Sequence, residues 1–179
     1  DALYSGTERK TPSERIARHL VEDAMLSVRD RHAAYIITTF SSHIARLKSI
    51  VDFGKKTGRE IVFLGRSLNK YISAAIKVGQ CPFKKGIVMM KYRSQINSFL
   101  KKVEKDRGKY LIVCTGHQAE PGSILDRIVN EETPLKFKAG DNIIFCSSVI
   151  PDPVNINARD KMDKKLRKKG VRIQTDVHV

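Results

Sequence analysis

Long apolar runs are the first thing missing from these 179 residues. The longest, such as "YLIVC" and the start of "NIIFCSSVI", reach five or six residues, whereas a membrane-spanning helix needs roughly 20. No transmembrane segment is expected, and no secretory signal is visible. Cysteine is scarce too. Cys81, Cys114 and Cys146 show no C-x-x-C spacing, and two of the three sit inside apolar runs. That pattern predicts buried, reduced thiols and an intracellular chain, not a disulfide framework. Neither H-x-H-x-D-H nor H-E-x-x-H occurs, so no metal site is expected in this stretch. The absence of G-x-G-x-x-G after the first strand, and of G-x-x-x-x-G-K-[ST] anywhere, disfavours a dinucleotide-binding domain and a P-loop NTPase. There is no G-x-S-x-G nucleophile elbow either.

Negative charge is the other shortage. Nineteen acids face 34 Lys and Arg, a net charge of +15. An excess of this size favours polyanions, nucleic acid ahead of an anionic membrane; the plainer alternative is a surface tuned to salt. Apolar residues make up 41% of the chain, enough for a real core in one large domain, or one domain with a small appendage.

Helical and strand-like segments alternate along the chain. "TPSERIARHLVEDAMLSVRDR" has Thr11 to cap a first turn, Pro12 at the first helical position and Glu14 to close a capping box. Ile16, Leu20, Ala24 and Val28 then recur at every fourth position on one face. The apolar runs "AYIITTF", "EIVFLG", "KYLIVCT", "DNIIFCSSVI" and "VRIQTDV" predict strands. Helices are expected over "HIARLKSIVDFGKKTG", "RSLNKYISAAIKVG", "RSQINSFLKKVEKDRG", "SILDRIVNEE" and "NINARDKMDKKLRKKG". Pro82 and Gly86 break any period between Gln80 and Met90, leaving that segment open. Buried strands alternating with amphipathic helices imply an α/β domain whose mostly parallel sheet is covered on both faces.

In such sheets ligands bind at the carboxyl ends of the strands. Polar loops fall there four times. Thr38, Thr39, Ser41, Ser42 and His43 follow one strand, and Gly65, Arg66 and Ser67 another. "CTGHQAEPG" (Cys114 to Gly122) and "FCSSVIPDP" complete the set. Hydroxyls, glycine amides and an arginine at helix N-termini suit an anion, although any one such loop is equally well a helix cap. The helix "ARDKMDKKLRKKGVR" carries eight basic residues against two acids. It should pack Met162, Leu166 and Val171 inward and leave a basic face, either a solvated surface or a contact for phosphates of any sequence.

Taken in order and spacing, "TTFSSHIARL", "LGRSLNKYI", "CTGHQAEPGS" and "SSVIP" resemble the β-CASP domain of ribonuclease J, especially its archaeal form. The corresponding family stretches read like A-T-F-A-S-N-I-H-R, F-G-R-S, T-G-S-Q-G-E-P and S-S-S-x-I-P. The resemblance implies a three-layer α/β/α, Rossmann-like domain, residues 1–179, inserted into a zinc-dependent metallo-β-lactamase fold. RNA would lie in the cleft between the two. It implies zinc in the parent enzyme but none bound by this stretch, a cytoplasmic location, no membrane partner, and a homodimer, which is common in the family.

The resemblance also implies roles. Asp1 would be the catalytic acid of the family's first motif, and the second motif's His would fall just past Val179, so hydrolysis by this stretch alone is not expected. Ser41, Ser42, His43, Arg46, Arg66, Ser67, Gly116, His117, Gln118, Glu120, Ser147 and Ser148 would hold RNA and its 5′-monophosphate. His43 stands where the family has Asn, His117 where it has Ser, and Ala119 where it has Gly. Glu120 is expected to orient its neighbours, not to act as a base. The function implied is the RNA-clamping part of a 5′-to-3′ exoribonuclease. The alternatives are a DNA-processing β-CASP nuclease, or a non-catalytic domain binding a phosphorylated small molecule.

Overall fold

A computed structural model describes residues 13–83 and 85–175. The elements in chain order are α1 (Glu14–Leu26), β1 (Tyr35–Thr38), α2 (Ile44–Lys56), β2 (Glu60–Leu64), α3 (Arg66–Lys77), β3 (Ile87–Met90) and α4 (Arg93–Lys105). After a short 3-10 turn, Arg107–Lys109, come β4 (Tyr110–Cys114), α5 (Ile124–Val129), β5 (Asn142–Phe145), α6 (Pro153–Lys168) and β6 (Arg172–Gln174). The six strands form one sheet in the order β3-β2-β4-β1-β5-β6. Every pairing in it is parallel.

Alternation along each strand sorts the core into two layers. Ile36, Val62, Leu64, Ile112, Cys114, Ile143 and Phe145 face α4, α5 and α6. Tyr35, Ile37, Ile61, Phe63, Leu111, Val113 and Ile144 face α1, α2 and α3. Each fully buried aliphatic side chain contributes about 1.5–3 kcal/mol relative to exposure, so both layers hold the sheet. The chain leaves β1 and β2 toward one face and β3, β4 and β5 toward the other, which opens the carboxyl edge where the directions diverge.

Some expectations needed correction. β3 occupies part of the undecided segment 80–90: it is only four residues long, lies at the sheet edge and is half exposed, so no apolar run announced it. Helix α1 starts with Ser13 as its N-cap; Thr11 and Pro12 lie outside the described residues. Glu14 closes no capping box, because its carboxylate turns to Arg46. Of the expected face, Leu20, Ala24 and Val28 are partly buried against the core and Ile16 is exposed; the fully buried stripe of α1, Ala17, Val21 and Met25, lies one position on. Helix α6 buries Met162 and Leu166, and Val171 is buried just beyond it. All three cysteines are free and buried, and burial pushes the Cys114 and Cys146 thiols up to about 12. Among the described residues no helix is long and apolar enough to cross a membrane.

The amino end of the sheet is locked by ions. Asp141, buried at the start of β5, accepts N–H groups of Ala34 and Lys138, each at 2.8 Å, and pairs with Arg107. The Arg59 guanidinium donates to the carbonyls of Asp30 and Ala33 at 3.0 and 2.9 Å. With that end closed, the carboxyl edge carries the exposed polar loops.

Candidate nucleic-acid interface

The strands end level with one another. Thr38 stands beside Cys114 on one side and Phe145 on the other, and Phe63 beside Val113, so the loops after β2, β4, β1 and β5 begin on one line. At about 4.8 Å per strand, that line is roughly 14 Å long.

The loop after β4 is the most tightly built. Gly116 sits at φ +123°, and a Cβ there would lie 2.6 Å from Leu125 Cβ and 2.7 Å from Ser123 Oγ, so only glycine fits. Ala119 has φ +58°, the left-handed region, at the position where the resembling family carries glycine. The Glu120 carboxylate accepts the Gln118 N–H at 3.1 Å, an orienting contact. Gln118 reaches across to the loop after β5, donating to the Ser148 carbonyl at 2.8 Å and accepting the Ile150 N–H at 2.9 Å. Thr39 and Ser147 join the loops after β1 and β5 through their hydroxyls at 3.2 Å.

His117 is buried, and neither ring nitrogen has a hydrogen-bond partner among the described residues. Its ring meets Phe40 edge-on with centroids 3.9 Å apart. Arg159 of α6 lies over the Phe145 ring and donates to the His117 carbonyl at 2.9 Å. Burial, assisted by the Arg159 charge, lowers the imidazole to about 4. His117 is thus neutral at ordinary pH and packs the loop from within.

The other predicted positions divide by exposure. Ser42, Arg66, Ser67 and Glu120 are exposed, while Ser41, His43 and Ser148 are half-buried. Arg46 is turned inward: its Nε and Nη2 grip the two oxygens of Glu14 at 3.0 and 3.1 Å, and Nη1 donates to the Cys146 carbonyl. His43 Nε2 lies 3.4 Å from the same Glu14 carboxylate. Burial lowers the His43 pKa; Glu14 opposes that effect and Arg46 adds to it. Asp1 lies outside the described residues.

Gly65 leaves β2 at φ +117°, with its N–H on the Met90 carbonyl at 2.9 Å. This turn sets Arg66 beside Lys91, Tyr92 and Arg93, which follow β3. Together with Thr115, Ser123 and Arg127 they line a cavity of about 530 Å³. Lys91, Tyr92, Arg93 and Arg127 were not among the residues predicted from sequence. "KYR" after the unassigned strand, and an arginine four residues past Ser123, were the available signals. Among the described residues no cluster of three His, Cys, Asp or Glu could hold a metal ion.

Residues 32–162 match the family model described as "Ribonuclease J, beta-CASP domain". The chain belongs to this family. It is 41% identical over 172 residues to "Ribonuclease J" of Pyrococcus abyssi, an alignment covering 96% of this chain and 38% of that protein. To the Methanocaldococcus jannaschii "Ribonuclease J" it is 40% identical over 173 residues, 96% of this chain and 39% of the relative. A "Ribonuclease J" of Sinorhizobium meliloti is 31% identical over 187 residues, covering 100% of this chain and 30% of that protein. The chain thus spans less than two-fifths of the length of these archaeal relatives. The family bears out the resemblance carried by the four loop motifs, and the parallel α/β sheet is the fold expected of it.

Proposed function

We propose that this domain is the RNA-holding part of a ribonuclease J-like 5′-to-3′ exoribonuclease. The observation that carries the reading is the carboxyl edge itself. Loops from β2, β4, β1 and β5 start on one line; those after β4, β1 and β5 are tied together by Gln118 and by Thr39–Ser147, and the edge exposes Ser42, Arg66 and Ser67. A net charge of +15 supplies the long-range attraction for a polyanion, and backbone phosphates contacted by basic side chains supply affinity without reading sequence.

In this reading the 5′-monophosphate sits over Ser41, Ser42 and His43 at the start of α2. The hydroxyls and the first-turn N–H groups donate to it. Gln118, Glu120, Ser147 and Ser148 fix the loops that border it. Zinc, which in this enzyme class activates a water and stabilises the leaving oxygen, belongs to a metallo-β-lactamase domain of the full-length protein, together with its ligands. The present residues bind, orient and exclude solvent, and the protein works in the cytoplasm.

The test is cleavage by the full-length protein of matched single strands: RNA with a 5′-monophosphate, the same RNA with a 5′-hydroxyl, and DNA of the same sequence. Faster stepwise loss of nucleotides from the phosphorylated RNA is expected. Equal rates on phosphorylated and hydroxyl ends would remove the 5′-end role. Preference for DNA would replace RNA as substrate.

A further inference from the structure

Arg127, in α5, carries a guanidinium whose side chain is only 12% exposed. Its Nε and Nη2 are buried without a hydrogen-bond partner among the described residues. The Glu132 carboxylate stands 3.9 Å from Nε, beyond hydrogen-bond reach. Glu132 offers charge but no hydrogen bond, so the desolvation of this cation is only partly offset. Arg127 lines the cavity of about 530 Å³ between the loops after β2, β3 and β4, and among the described residues no carboxylate lines that cavity. Arg66, Lys91 and Arg93 add three more cations to the same walls. Tyr92, on the same wall, is 58% exposed.

We propose that this cavity is a nucleotide subsite. An internal backbone phosphate of single-stranded RNA sits on Arg66 and Arg93, with the charge of Arg127 in the wall behind them, and the adjoining base stacks on Tyr92. The inference rests on the RNA reading above and adds a second anchoring point, between β3 and β4, apart from the 5′ end over α2. The exposed guanidinium groups of Arg66 and Arg93 meet phosphate oxygens in the forked geometry such groups favour, and Arg127 adds positive charge from the wall behind them. An exposed ring at the mouth accepts any base, because every base has a π-face. The volume falls in the range of small-ligand sites. A neighbouring cavity of about 500 Å³ shares Arg66 and Lys91 and adds Lys70 and Lys77 of α3, so the positive track continues along the sheet edge and suits a strand, not an isolated phosphate.

Binding of a single-stranded oligouridylate to the full-length protein, followed by anisotropy across a salt series, tests this. Arg93→Gln and Arg127→Gln should each reduce the slope of log affinity against log salt by about 0.7. Tyr92→Ala should weaken binding about 5- to 160-fold, with Tyr92→Phe close to wild type. All losses should be the same for 5′-phosphate and 5′-hydroxyl oligomers, since the subsite is internal. Arg93 and Tyr92 are exposed, so their variants decide the matter even if Arg127→Gln fails to fold. RNA binding with unchanged slopes and no Tyr92 effect would overturn the subsite and leave the RNA reading standing. No binding of wild type to the oligomer would overturn both. Equal affinity for uridine monophosphate or inorganic phosphate would make the cavity a small-phosphate site and overturn the strand-binding role.

Discussion

Gln118 holds Ser148 across two loops: its Nε2 donates to the Ser148 carbonyl at 2.8 Å while its Oε1 accepts the Ile150 N–H at 2.9 Å. One side chain therefore ties the segment after β4 to the segment after β5. Gln118→Ala leaves a carbonyl and an N–H to find other partners and should cost about 1–3 kcal/mol. Urea unfolding measures this. The same variant of the full-length protein should bind RNA more weakly. Wild-type affinity would mean that the tie between the loops is unrelated to the interface.

Burial of His117 makes stability pH-dependent. The unfolded imidazole titrates near 6.5, the folded one near 4, so between these values the unfolded chain binds more protons. The neutral ring's contribution is complete above pH 6.5 and is lost as the pH falls toward 4, by up to about 3 kcal/mol. Denaturant unfolding at several pH values, compared between wild type and His117→Ser, isolates this from the carboxylates. The wild-type curve should fall more steeply in that window. Parallel curves would contradict a neutral buried ring.

Glu14 is shared by Arg46 and His43. Glu14→Gln removes the carboxylate that opposes burial at His43, so the His43 pKa should fall further below its ordinary value; proton NMR titration reads it directly. Because Arg46 is buried and loses its charged partner, the variant should also lose about 1–3 kcal/mol of stability, less than for a fully buried pair because Glu14 is partly exposed. A rise in the His43 pKa would show that Glu14 does not govern it.

Ala119 combines burial with φ +58°. Ala119→Gly relieves about 1–2 kcal/mol of left-handed strain but loses a buried methyl worth about 0.8 kcal/mol and frees the unfolded chain by about 0.4–1 kcal/mol. These terms nearly cancel, so a change within about 1 kcal/mol is expected. Ala119→Val, β-branched at a positive φ, should be destabilised by about 2 kcal/mol or more. Thermal melts of the two variants check both values.

Much of the fold was legible because strands buried on both faces are written as short apolar runs. "YLIVC" and "NIIF" could hardly be anything else between polar helices. β3 was hidden by its edge position, where half-exposed "IVMM" needs no run and follows Pro82 and Gly86. The loop motifs pointed to the right edge and, in combination, to the family. They did not tell which side chains face out. Arg46 and Arg66 look alike in sequence, yet one is clamped inside by Glu14 and the Cys146 carbonyl while the other is exposed at the start of α3.

What the sequence determined by itself was local: hydrophobic periodicity, turn residues and charge balance, each fixed by neighbours along the chain. The basic cavity was decided by tertiary structure alone. Arg66, Arg93 and Arg127 are separated by 27 and 34 positions and meet only because β3, β2 and β4 lie side by side. The crossover that places β4 between β2 and β1 brings α5 back beside the ends of β2 and β3. No local pattern records that neighbourhood, because it arises from how the strands pair.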